Sequence, residues 1–201
     1  MFLFNQGVLK IVHDFTSLFS LDEVLSSDGF VIGYYIFTVA TSLFLVKETK
    51  KRVLDLIKGV RSMVYAPLSF GILVAYLVFA YQYVDKIPIL NWSWLGYNIA
   101  FGPFAKEGFW GIVPFVPILI YMFIHINYVE EFYFRKSKKL VLLWAATHIA
   151  MGIKIHMALL LIPVGFLFKY VYDKKGVENS YAMHFATNIL VVTALFFTIV
   201  R

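Results

Sequence analysis

Long apolar runs separated by short basic segments are what most limits the fold of this chain. The clearest run, about Ser62 to Val84, carries no Asp, Glu, Lys or Arg and is long enough to cross a bilayer core of about 30 Å as a helix. Comparable runs cover about Phe30 to Val46, Phe109 to Val129 and Tyr181 to Val200. Two shorter ones, about 140–153 and 155–172, are at or under the usual spanning length and suit short, tilted or interior helices. Residues 2–21 place Val8, Val12, Phe15 and Phe19 at helical spacing, which predicts an amphipathic helix lying at the membrane interface.

The expected fold is therefore all-α: a polytopic membrane helix bundle with about six transmembrane helices plus the N-terminal interfacial helix, forming a single membrane domain over 1–201. With 61% hydrophobic and only 15% charged residues, the chain carries more apolar surface than a soluble domain can cover. The segment 85–108 is too broken by Pro, Asn and Gly for a regular span, and Trp92, Trp94 and Tyr97 suit a headgroup-level belt or a re-entrant loop.

The net charge of +6 does not point to nucleic acid, because the lysines and arginines gather between the apolar runs. Segments 47–61, 135–139 and 169–175 read as topology signals and lipid headgroup contacts. The positive-inside rule puts all three on the cytosolic side, with 85–108 and the acidic "LDEVLSSD" on the other. Cysteine is absent, which excludes disulfides, thiol nucleophiles and cysteine metal sites. The N-terminus "MFLFNQGVLK" lacks a basic region and a small-residue cleavage site, so no signal peptide is expected. In "YDKKGVENS", Gly176 is the expected C-cap of one helix, and Asn179 or Ser180 the expected N-cap of the next.

Ionisable residues inside such runs are costly and mark candidate function. In "VEEFYFR", Glu131 and Arg135 stand i,i+4 on one helix face, and Glu130 points about 100° away. One carboxylate can then be pinned while the other stays free for proton work; the alternative is a solvated charge cluster at a helix end. Trp144 and His148 are also i,i+4, and the alternative there is a buried histidine bonded to a backbone carbonyl. His184 and Asn188 repeat the spacing on the last run, as paired donors or as interhelical polar glue. Together these groups offer a general base, an orienting imidazole and two oxyanion donors, which suffice for hydrolysis with water as nucleophile. His13, His125 and His156 have no such partners at helical spacing and read as packing or interface residues, and Asp173 sits in a lysine-rich surface turn. There is no HExxH and no GxSxG-like elbow.

Taken in order, Glu130-Glu131-x-x-x-Arg135, Trp144-x-x-x-His148 and His184-x-x-x-Asn188 resemble the motif set of the CPBP intramembrane proteases. These are the CAAX-protease and bacteriocin-processing (Abi) proteins, which include the type II CAAX prenyl endopeptidases. The family's second motif usually has Phe where Trp144 stands. The resemblance covers about 110–200 and implies a four-helix catalytic core over 106–201, with 1–105 supplying N-terminal helices and an interfacial loop. It implies Glu130 as the base that activates water, His148 as the residue that orients the water, and His184 with Asn188 as oxyanion donors. Glu131, Arg135 and Trp144 would support them. The implied substrate is a peptide or lipidated-protein tail at the membrane lipid, a prenylated CAAX-type tail among others, cleaved toward the cytosolic face, and the short chain suits a compact prokaryotic member. Zinc held by Glu130, His148 and His184 is compatible with the residue types. A metal-free site is favoured, because an Asn–His pair suits oxyanion donation better than ligation. Two other readings are a non-catalytic immunity or scaffold protein, and a transporter or channel using the glutamates as an ion site.

Overall fold

The structure is a computed structural model that describes residues 48–93 and 116–199. The expected interfacial helix, the first span and the Trp94–Tyr97 part of the aromatic belt lie outside the described residues. Within them every regular element is a helix, so the fold is all-α. The helix 48–58 (α1) ends at Gly59 and leads through a 3₁₀ turn, Val60–Tyr65, into α2, Ala66–Phe79, which runs on as a π-helical segment, Ala80–Val84. Then come α3, Val116–Phe134; α4, Lys138–Ala150; α5, Ile155–Lys175; and α6, Val177–Ile199.

Local chemistry sets the boundaries. Ser137 caps α4, its side chain accepting from the Leu140 N–H at 3.2 Å. Gly176 ends α5 with φ +89°, a conformation open to glycine, and its N–H bonds the Tyr172 carbonyl at 2.9 Å. The chain restarts as α6 at once, at Val177. Neither Asn179 nor Ser180 is therefore the expected N-cap: Asn179 reaches back to the Lys175 carbonyl at 2.6 Å, and Ser180 turns into the core. At its other end α5 has no side-chain cap. The N–H groups of Ile155 and His156 donate instead to the carbonyls of Trp92 and Leu90, at 3.2 and 3.0 Å.

α6 is the central element, packing against the 3₁₀ turn, α2, α3 and α5. It runs antiparallel to α3 and α5 and parallel to α2, as its paired residues show. Ser62 donates to Asn179 at 2.8 Å, and the Ser69 and Thr187 hydroxyls meet at 2.6 Å. A Cβ on Gly59 would collide with the Glu178 carbonyl, so small residues let these two segments approach backbone to backbone. The basic segments gather at this end: Lys169 Nζ donates to the Arg135 carbonyl, and Lys175 Nζ to the Tyr65 hydroxyl, each at 3.0 Å.

Apolar side chains lie on the surface as well as in the core. Among the described residues Val64, Leu68, Val74, Leu77, Val78 and Phe79 are exposed, and Ser69, Asn127, Glu131, Arg135, Ser180, His184 and Thr187 are buried beside apolar residues such as Trp144, Val164 and Phe168. Among the described residues two helices are long and apolar enough to cross a membrane, Val60–Val84 and Ile155–Lys175.

Candidate functional site

α3 does not stop where its apolar run stops. It continues beyond Val129 to Phe134, which puts Glu130 and Glu131 inside the helix rather than at its end. The two carboxylates then meet different surroundings. Glu131 is fully buried, and so is Arg135 one turn on. Arg135 Nε donates to Glu131 Oε2 at 3.2 Å, while Nη2 lies 2.8 Å from Oε1 as an ion pair outside ideal hydrogen-bond alignment. From α6, His184 Nδ1 donates to Oε1 at 2.8 Å and the Ser180 hydroxyl to Oε2. Both oxygens of Glu131 are thus engaged, as a buried charge requires.

Glu130 keeps 15% of its side chain exposed, and its Oε2 lies 3.7 Å from His184 Nε2. That separation is too long for a direct hydrogen bond and within reach of one shared water. Because Nδ1 is taken by Glu131, Nε2 is the nitrogen that faces Glu130, and one imidazole joins the pinned carboxylate to the freer one.

Aromatic packing fixes the rest. Trp144 is buried, with its ring edge-on to His148 at 4.8 Å and to His184 at 5.8 Å. Phe168 stacks on His184 at 4.6 Å, and the Arg135 guanidinium lies 4.0 Å from the Trp144 ring centre. A side chain at Gly165 would meet Trp144 and Val141 at 2.9 Å, so this glycine admits the indole. His148 donates from Nδ1 to the Trp144 carbonyl at 2.8 Å, which leaves Nε2 for other work, and the Trp144 ring lies against both His148 and His184.

Six of the seven residues singled out from sequence therefore meet in one cluster: Glu130, Glu131, Arg135, Trp144, His148 and His184. Asn188 stands one turn further along α6, where its Nδ2 donates to Asn127 Oδ1 at 3.0 Å. Sequence reasoning missed Ser180, Phe168 and Asn127. Ser180 and Asn127 carried a signal, since each is i,i+4 to a residue already chosen, His184 and Glu131. Asn127 is buried with no partner for its Nδ2 among the described residues. An unpaired buried donor costs about 1–3 kcal/mol.

Among the described residues no group of three or more His, Asp or Glu is placed to hold a metal ion. The residues set aside from sequence also have places. His125 is buried, with Nε2 3.0 Å from the Thr49 hydroxyl. Contrary to its lack of partners in sequence, His156 lies 3.4 Å from Asp85. Asp173 pairs with Lys169 at the surface, at 2.9 Å. Comparison with protein-family models, with curated proteins and with solved structures finds no match.

Proposed function

We propose that this chain is a multi-pass membrane peptidase of the CPBP type, hydrolysing a peptide bond with water activated by Glu130. The division of labour between the two glutamates carries the reading. Glu131 is saturated by Arg135, His184 and Ser180, which leaves Glu130 as the partly exposed carboxylate beside an imidazole. Glu130 takes a proton from that water as its oxygen attacks the peptide carbonyl. The developing negative charge lies on the carbonyl oxygen, where N–H donors of Asn188 and His184 stabilise it, the latter when the ring carries both protons. The C–N bond then breaks, and Glu130 returns its proton to the leaving amine. His148, with Nδ1 held by the Trp144 carbonyl, orients the water through Nε2.

The exposed apolar side chains and the buried polar groups support a lipid-embedded bundle, and the grouping of the basic segments near the site supports a cytosolic-side opening. Substrates would be membrane-associated peptide tails, CAAX-like lipidated tails among them. One observation favours a second reading, a non-catalytic scaffold of the same fold: Asn188 is already bonded across helices to Asn127, as polar glue would be.

Reconstituted protein incubated with membrane-anchored reporter peptides, prenylated and not, separates the two. The peptidase reading expects cleavage by wild type that resists chelators and falls at least about a hundredfold in Glu130→Gln. Undiminished turnover in Glu130→Gln removes the base, and a wild type that cuts nothing supports the scaffold.

A further inference from the structure

The Asn127–Asn188 pair gives the site a residue that no motif contains. α3 and α6 are antiparallel, so their polar positions face one another in layers. In the first layer Glu131 meets His184, and one turn deeper Asn127 meets Asn188. A terminal amide has two faces, one accepting and one donating, and which face points where decides what it can bind. Here Asn188 Nδ2 donates to Asn127 Oδ1 at 3.0 Å. Flipping one amide alone would set like group against like group and break that bond. Asn127 Nδ2 has no partner among the described residues, so the bond ties the orientation of each amide to that of the other. Asn127 is buried on α3, held by the same helix that carries both glutamates. It is thus placed to fix an amide on the neighbouring helix relative to the base.

We propose that Asn127 is a positioning residue for the oxyanion site, setting the amide of Asn188 by accepting one of its Nδ2 hydrogens and leaving the other for the substrate oxygen. The proposal rests on the peptidase reading above. If Asn188 is an oxyanion donor, its partner matters for turnover more than for substrate affinity, because the oxyanion exists only beyond the ground state. A purely structural Asn127 would lower thermal stability and leave no selective loss in kcat, because its bond to Asn188 would hold the helices together rather than aim a donor.

Steady-state cleavage by reconstituted wild type, Glu130→Gln, Asn127→Leu, Asn188→Ala and the Asn127→Leu/Asn188→Ala double variant tests this, with thermal unfolding as the fold check. Asn127→Leu is expected to lower kcat by about tenfold or more with KM within about twofold. The double variant should be no slower than Asn188→Ala alone, since the positioned group is already gone. Asn127→Ser, which keeps an accepting oxygen, should recover part of the loss. Additive losses, or a full-speed Asn127→Leu beside an inactive Glu130→Gln, overturn the inference while leaving the peptidase reading intact. Failure of both Asn127 variants to fold also overturns it, by making the residue structural. A wild type without cleavage removes the peptidase reading and this inference together.

Discussion

Two charged clusters stand near opposite ends of α5, about 18 Å apart along its axis by helical rise. Near Phe168, Glu131 and Arg135 are fully buried, and the carboxylate is met by groups from both α3 and α6. Near His156 the histidine is almost as buried, yet neither ring nitrogen has a hydrogen-bond partner among the described residues. Its neighbour Asp85 keeps 31% of its side chain exposed and shares Oδ1 between His156 at 3.4 Å and Lys154 at 3.6 Å. The difference is one of completeness. The Glu131 carboxylate has a donor on each oxygen, whereas the Asp85 Oδ1 that faces His156 and Lys154 is shielded from water and forms no hydrogen bond among the described residues. The first cluster is therefore architecture as well as chemistry, and the second is a loose clasp.

Removing one member of each cluster should reveal this gradient. Arg135→Leu leaves Glu131 buried and uncompensated and is expected to cost about 3–5 kcal/mol, read as a large drop in midpoint by denaturant unfolding in detergent. Near-normal stability in that variant would erase the distinction. Ser180→Ala removes one donor to the same carboxylate, with an expected loss of about 1.5–3 kcal/mol in the same assay. At the opposite end, His156→Phe keeps an aromatic ring, slightly larger, and gives up no hydrogen bond of its ring nitrogens, only the 3.4 Å contact with Asp85, so its midpoint should move by about 1 kcal/mol or less. A loss as great as that of Arg135→Leu would show that the clasp bears weight. Smallest is Asp173→Asn, at the surface pair with Lys169, where thermal unfolding should register a change of at most about 0.5 kcal/mol.

Much of the first cluster was legible in the sequence because its members lie at i,i+4, a spacing that survives into any helix. Glu131 with Arg135, Trp144 with His148 and His184 with Asn188 each needed only a helix to share a face. Which glutamate would be inside was not legible, because it depends on how α3 is turned toward α6. Ser180 was misread because a polar residue after a glycine turn looks like a cap; α6 instead restarts directly at Val177, leaving Ser180 past the helix start. The Asp85–His156 contact and the Ser69–Thr187 bond, the latter spanning 118 positions, leave no local trace. The extension of α3 past the apolar run, which ends at Val129, is signalled only by the i,i+4 spacing of Glu131 and Arg135.

The close pairing of 59–69 with 178–187 has a consequence for how the molecule is made. A ribosome delivers Gly59, Ser62 and Ser69 long before Glu178, Asn179 and Thr187 exist to meet them. During that interval Glu131 and Arg135 have each other but lack His184 and Ser180. The segment 178–187 thus supplies, last in chain order, both the partners of 59–69 and the two α6 donors that complete the set around the buried carboxylate.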